Sequence, residues 1–530
     1  MEFPRVWDES RPSIYAFVRQ RVRDHGSDGL LPDDELIREG RKVSWAAGAF
    51  DGAFGHHGDS RKDVGLSQTI FAATSEVVFE PTPASLERLY ELVIKDNIVG
   101  FIDPFLSLLS EDRIAGLPEL PLLARWLATE APDRGAVKFG LALLGQCGDF
   151  RDEKIFMTLG GHEEFTLYAA VAVTKTLFEP EPALWDLAMQ VHGWGRIQLV
   201  ERLRATENPA IKAWMLREGF RNQIMYEYLA HCCATTGGLL SALQSPERDD
   251  ALLLGAGEII DALLAGGPAK DIDDYPDGVE AIGLYLEHLE RRPAQNLTHF
   301  IVVSSIQKFL ENPTTNWSAT NKRSWSVDLR QRIILTARSI LSQAKWPILA
   351  NRELLSDDER IFRHAATILE TLGLDPWEAR FERQRSGRSE QWHFLMKTDN
   401  FERVNRVIAL ASDCINLGEI ASGPADEVGL GPGFRHHWIL DWILQELPRF
   451  PGTGWPLVAA ALRSPVVRNR NYALGVLDTW TREAWPPDAR TLLEGALAEE
   501  PVAQVYRDIR NLLEGHRLTD GDIEESTMIH

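Results

Sequence analysis

Apolar positions recur with the period of an α-helix along almost the whole chain. Leu86, Leu89, Tyr90, Val93 and Ile94 fall at i, i+3, i+4, i+7 and i+8, which puts them on one face of an amphipathic helix. Leu329, Ile333, Ile334, Ala337, Ile340 and Leu341 form a second such stripe. Strict alternation is rare, and residues 76–80 and 299–304 are the best strand candidates. The pattern predicts an all-α protein with roughly 20 to 28 helices of ordinary length.

Four predicted helix starts share a small polar residue followed by proline: Asn208-Pro209, Ser245-Pro246, Asp375-Pro376 and Ser464-Pro465. The polar side chain accepts from a backbone N–H that lacks a partner at the helix start, and proline removes another such N–H. Pro209 and Pro246 lie 37 residues apart, and Pro465 and Pro501 lie 36 apart. That spacing suits two helices and two turns. Stacked hairpins bury apolar faces that one hairpin leaves in water.

The run Leu462-Arg463-Ser464-Pro465-Val466-Val467-Arg468, continuing through Tyr472, Ala473, Leu474 and Leu477, resembles the second half of a HEAT-type repeat. Leu203 with Pro209, Ile211 and Lys212 is a looser copy. Leu497 with Pro501, Val505 and Ile509 is another, although Gln504 replaces the basic residue, and near Pro246 the basic position is Asp249. The resemblance implies an α/α solenoid of HEAT-like hairpins, irregular in places, and speaks to architecture rather than activity. The chain then divides into an N-terminal segment (1–80), a helical-repeat array (81–420), a Gly-rich loop (421–435), C-terminal helical repeats (436–515) and an acidic, flexible tail (516–530).

Composition narrows the function classes. Lys and Arg number 56 against 78 Asp and Glu, a net charge of −22. Such a chain repels nucleic acid and anionic lipid and attracts basic partners. Its four cysteines form no CxxC, no apolar run is long enough for a membrane span, and no signal-peptide core follows the start. These features predict a cytoplasmic protein. The charge is concentrated: residues 247–290 carry twelve acids and two bases, whereas 321–345 carry six bases and one acid. An acidic docking surface is expected around Glu247, Asp249, Asp250, Asp271, Asp273, Asp274 and Asp277. The run from Asp271 fails as an EF-hand, because Tyr275 and Ile282 occupy ligand positions.

Two glycine-rich stretches interrupt the helical pattern, at 44–65 and 421–437, and each holds a His-His pair. Asp51, His56 and His57 are the catalytic candidates of the first, with Asp59 as a further metal ligand. His436, His437 and Asp441 are the metal candidates of the second, since His437 and Asp441 share a helix face at i, i+4. No HExxH, CxxC or third spaced ligand accompanies them, so no metal is expected.

Trp45-Ala46-Ala47-Gly48-Ala49-Phe50-Asp51-Gly52, running on to His56-His57, resembles a stretch in bacterial proteins labelled limonene hydroxylase. That resemblance implies monoterpene oxidation, a monooxygenase-type oxidoreductase, with a reduced nicotinamide cofactor. The residues carry no haem-thiolate loop, dinucleotide-binding GxGxxG, P-loop or nucleophile elbow, so on their own they call for no cofactor.

Sixteen tryptophans remain. Trp438 and Trp442 share a helix face and are candidates for an aromatic binding groove. The expected function is a protein-binding scaffold with an acidic face for a basic partner. The alternative is an enzyme centred on Asp51, His56 and His57.

Overall fold

The computed structural model describes residues 3–34, 46–57, 63–292, 295–318 and 325–518, with the side chains of 21–25 and 54–57 left out. It contains 29 α-helices and no strand among the described residues. The sole β feature there is one parallel bridge between Glu427 and Val466. The chain is all-α, and the count among the described residues is one helix beyond the expected range.

Both strand candidates are helical. Residues 76–79 end the Val64–Phe79 helix, and 299–304 lie inside the Thr298–Glu311 helix. The reason is visible over a longer window. Ile70, Ala73, Thr74, Val77 and Val78 are all buried, and their spacing is a helical stripe. Five residues are too few to separate the two periods.

The predicted helices at 86–94 and 329–341 are present as Pro83–Lys95 and Val327–Leu341. Thr82 and Ser85 close a capping box ahead of the first, with Pro83 at its first position. Asn208 caps Pro209–Trp214 as expected. Ser245-Pro246 starts no helix: Asp249 caps Asp250–Ala265 instead, accepting from the Leu252 N–H at 2.6 Å. Pro465 and Pro501 each stand two residues before a helix, Val467–Thr479 and Ala503–Glu514. Their 36-residue spacing therefore marks equivalent turns.

The chain separates into two compact units, Met1–Gln343 and Ala344–His530. The sequence reading placed no boundary there. In the first unit, Glu119–Glu130 packs on Arg134–Cys147, which packs on Glu163–Thr176. Packing then continues through Trp194–Arg202, Glu227–Gly237, Asp250–Ala265 and Thr298–Glu311 to Val327–Leu341. Each helix thus lends its neighbours an apolar face. The second unit has its own core, with Trp377, Leu395, Val407, Leu440, Leu444, Leu474 and Ile509 among its buried members. There Arg435–Leu444 packs on Val467–Thr479, which packs on Ala503–Glu514.

Residues 519–530, most of the predicted tail, lie outside the described residues.

Candidate functional site

The first glycine-rich stretch is not a loop throughout. Residues Ala49–His57 form a helix, and the glycines before and within it have packing reasons. Gly48 has φ +69°, and a Cβ there would lie 2.5 Å from the Glu163 carbonyl oxygen. A Cβ on Gly52 would meet the Trp194 ring at 2.4 Å. Glycine at these positions lets the short helix touch two others.

That close approach buries Asp51, which is 3% exposed. Its partner is Lys138, from a helix in which every residue from Ala136 to Gly145 is buried. The Lys138 ammonium lies 2.6 Å from Asp51 Oδ2 and 2.6 Å from Glu164 Oε1. The other oxygen of Glu164 accepts from the Gly48 N–H at 3.0 Å. Arg134 stands 3.7 Å from Glu164 and donates to Asp33 at 2.8 Å and Asp34 at 2.7 Å. Asp51 Oδ1 is buried without a hydrogen-bond partner.

The three central groups respond differently to burial. Desolvation pushes Lys138 down, but Glu164 and Asp51 outweigh it and leave its pKa raised. Desolvation pushes Glu164 up, yet Lys138, Arg134 and the Gly48 N–H hold it below the usual carboxylate range. For Asp51 desolvation prevails over Lys138, and its pKa is raised. Tyr168, fully enclosed beside Asp51, keeps its proton because burial pushes its phenol well above the ordinary value. Lys138 is a charged, doubly paired cation, the opposite of an activated lysine nucleophile.

The cavity between Asp51, Glu163, Trp194 and Gln198 holds about 10 Å³. That is the room of a single water and excludes a substrate. Glu163 faces this cavity with its charge already spent: its carboxylate accepts from the His192, Gly193 and Gly195 N–H groups at 2.7, 2.6 and 2.7 Å. It thereby caps the Trp194–Arg202 helix. His56 and His57 lie on the Ala49–His57 helix, with their side chains outside the described residues, as is Asp59.

In the second unit the sequence correctly places His437 and Asp441 on one helix face, in Arg435–Leu444. They meet through Asn469 rather than a metal. Asn469 donates to Asp441 at 2.5 Å and to the His437 carbonyl at 3.0 Å, and its oxygen lies 2.6 Å from His437 Nδ1. Ser464 donates to the same Asn469 oxygen at 2.8 Å. Arg468 takes the remaining Asp441 oxygen at 2.6 Å. This arginine is the basic residue three positions after Pro465, and its role is to bridge adjacent helices. Desolvation raises the Asp441 pKa, with Arg468 and Asn469 opposing. His436, half-buried, stays outside this network. No group of three His, Cys, Asp or Glu side chains among the described residues has metal-binding geometry.

Trp438 and Trp442 are 38% and 39% exposed. The Trp438 indole donates to the Gly429 carbonyl at 2.8 Å, and Trp442 meets the His393 ring edge-on at 4.6 Å. Trp480 and Trp485 instead pack inward and donate to backbone carbonyls.

The acidic stretch is partly neutralised. Asp249 pairs with Arg217 at 3.0 Å, Asp250 with Arg292 at 2.7 Å, and buried Glu258 with Arg221 at 2.7 Å. Asp271 and Asp274 accept from backbone N–H groups of their own turn, and Asp273 is half-buried. Glu247, Asp274, Asp277, Glu287 and Glu290 remain exposed.

Sequence reasoning missed Lys138, Glu164 and Tyr168. The signal was available: a lone lysine inside the Ala-, Leu- and Gly-rich run 136–145 has no polar face to occupy, so it must find a buried counter-charge. No family model matches this chain, and no curated protein matches it significantly.

Proposed function

We propose that the chain is a non-catalytic, protein-binding α-solenoid scaffold, HEAT-like in its hairpins and cytoplasmic, that docks a basic protein. The observation that carries this reading is where the acidic groups lie. The clusters with catalytic composition, around Asp51 and Asp441, are closed and consumed by internal partners. The exposed carboxylates of the hairpin between Asp250 and Arg291 face water. A field of one sign on one hairpin steers a basic partner and sets its orientation. The uninterrupted helix-on-helix packing of the first unit supports the solenoid. No helix among the described residues is long and apolar enough to cross a membrane, which agrees with a partner met in water.

The test replaces Asp274, Asp277, Glu287 and Glu290 together by lysine. These side chains are exposed, so the fold should persist. A partner retained at low salt should be released as salt rises and should not be captured by the reversed-charge protein. Capture indifferent to both salt and charge reversal would defeat the reading.

A further inference from the structure

Residues 3–12 precede the Ile14–His25 helix without regular structure of their own. Their side chains seat on the last turns of Glu119–Glu130 and on its neighbours. The Trp7 ring meets Trp126 at 4.9 Å and Tyr90 at 4.8 Å, and Phe3 meets Trp126 at 5.5 Å. Arg5 pairs with Glu130 at 3.2 Å, and Arg11 with Asp133 at 2.6 Å. Two aromatic residues four apart, each followed by an arginine, thus meet an aromatic floor with an acidic rim.

The receiving surface does not depend on this segment for its shape. The Tyr90 hydroxyl donates to Asp133. The Asp133 carbonyl accepts from the Val137 N–H at the start of the Arg134–Cys147 helix. The acidic rim therefore stays in place without Arg11, and Trp126 and Tyr90 belong to helices of the body.

The segment itself is held by side chains alone. Among the described residues, the backbone from Phe3 to Pro12 makes no hydrogen bond to the rest of the chain. Its one backbone–backbone bond closes its own turn, from the Arg11 N–H to the Asp8 carbonyl at 3.1 Å. Anchoring begins at the next residue. The Ser13 hydroxyl donates to the Thr129 carbonyl, and the Ile14 N–H to the Ala131 carbonyl at 3.1 Å. A hollow of about 530 Å³ lies between the segment and Tyr15, Arg19 and Gln20. Residues 3–12 can therefore leave their seat without breaking a backbone ladder or the helix they precede.

We propose that residues 3–12 are a cis occupant of a peptide-docking groove, and that its trans ligand is an extended segment of a partner protein with aromatic residues and arginines at the same offsets. The cis segment displays the chemistry that the groove accepts, and Glu130 and Asp133 select for arginine. Partner binding and release of the segment are then one exchange. The groove uses none of the acids from Glu247 to Glu290, so it goes beyond the acidic docking surface and either can fail alone.

The probe is a synthetic peptide that keeps only Phe, Arg, Trp and Arg at these offsets in a serine–glycine background. The control has glutamate in place of both arginines. Binding is measured by calorimetry on the full-length chain and on two full-length variants. Trp7→Ser with Arg11→Ser, which unseats the cis segment, should bind the probe at least about tenfold more tightly than the wild type, because a tethered competitor acts at high local concentration. Arg11→Gln alone leaves both rings seated and should gain about tenfold, the scale of one charge-assisted hydrogen bond. The control should bind none of the three. A spin label at Asp8→Cys, in a Cys414→Ser background, should become mobile as the probe saturates. Equal affinity for the wild type and both folded variants, or a label that stays immobile, would overturn the proposal. A wild-type dimer that Arg11→Gln dissolves would make the occupant a second copy of this chain and would equally overturn it.

Discussion

Arg470 and Glu500 meet at 2.8 Å with both side chains excluded from water, 1% and 0% exposed. Arg470 also donates to the Ser464 and Pro465 carbonyls at 2.7 and 3.1 Å, and Glu500 accepts from the Val502 N–H at 3.0 Å. The pair therefore joins the two equivalent proline turns of the second unit. Breaking a buried pair strands the other charge, whereas replacing both does not. Arg470→Met or Glu500→Leu alone should each cost about 3–5 kcal/mol. The double substitution should recover a large part of that loss. Urea unfolding across the four-member cycle reads the difference, and a double variant as weak as the sum of the singles would refute it.

The centre at Lys138 predicts an asymmetry. Lys138→Met leaves Asp51 buried without a cation and Glu164 with only Arg134, at 3.7 Å, and should destabilise the first unit by about 3–5 kcal/mol. Asp51→Asn leaves Lys138 paired with Glu164 and removes a carboxylate that burial already disfavours. It should cost about 1 kcal/mol or less, the net scale of one hydrogen bond. Comparable losses for the two variants, measured by chemical denaturation at neutral pH, would contradict this account.

The same two carboxylates oppose each other in acid. The folded-state pKa of Asp51 is raised, so its contribution improves as pH falls through that value and is complete below the unfolded value near 4. The pKa of Glu164 is lowered, so its contribution is present above the unfolded value and fades as pH falls through its folded one. On mild acidification the wild type should gain stability relative to Asp51→Asn. At lower pH both should lose stability together. Urea midpoints across an acid series, compared pairwise, check the sign.

Gly52→Ala tests the docking of the Ala49–His57 helix. The added Cβ would stand 2.4 Å from the Trp194 ring, and Trp194 is 8% exposed and has little freedom to retreat. The expected cost is about 1–3 kcal/mol, typical of overpacking, with faster amide exchange confined to residues 46–57. Unchanged exchange there would show that the contact is not needed.

Metal removal should be silent. Asp441 is filled by Arg468 and Asn469, so chelator should leave the melting temperature unchanged. Asn469→Ala, in contrast, removes partners from both Asp441 and His437 and should cost about 2–3 kcal/mol. A chelator-induced drop in melting temperature would mean that a cation has a structural place.

The helices at 83–95 and 327–341 were legible because they require only a periodic apolar face and local caps. So was the shared face of His437 and Asp441, which follows from a spacing of four. The Ser245-Pro246 start failed because several residues nearby can cap, and Asp249 is the one whose oxygen reaches the Leu252 N–H. The burial of Asp51 was not legible for a different reason. Its partner Lys138 lies 87 positions along the chain, and Glu164, which shares that lysine, lies 113, beyond any local pattern.

By itself the sequence determined the helical character of the chain, the recurrence of hairpin turns at Pro465 and Pro501, and the concentration of negative charge between Glu247 and Glu290. These are properties of residues close in the chain, where period, caps and composition act. The tertiary structure decided which charges remain in water. Folding drew Asp51, Glu164, Asp441 and Glu258 out of water, and burial required each to take an internal cation or donor. Glu247, Asp274, Asp277, Glu287 and Glu290, left exposed, met no such demand.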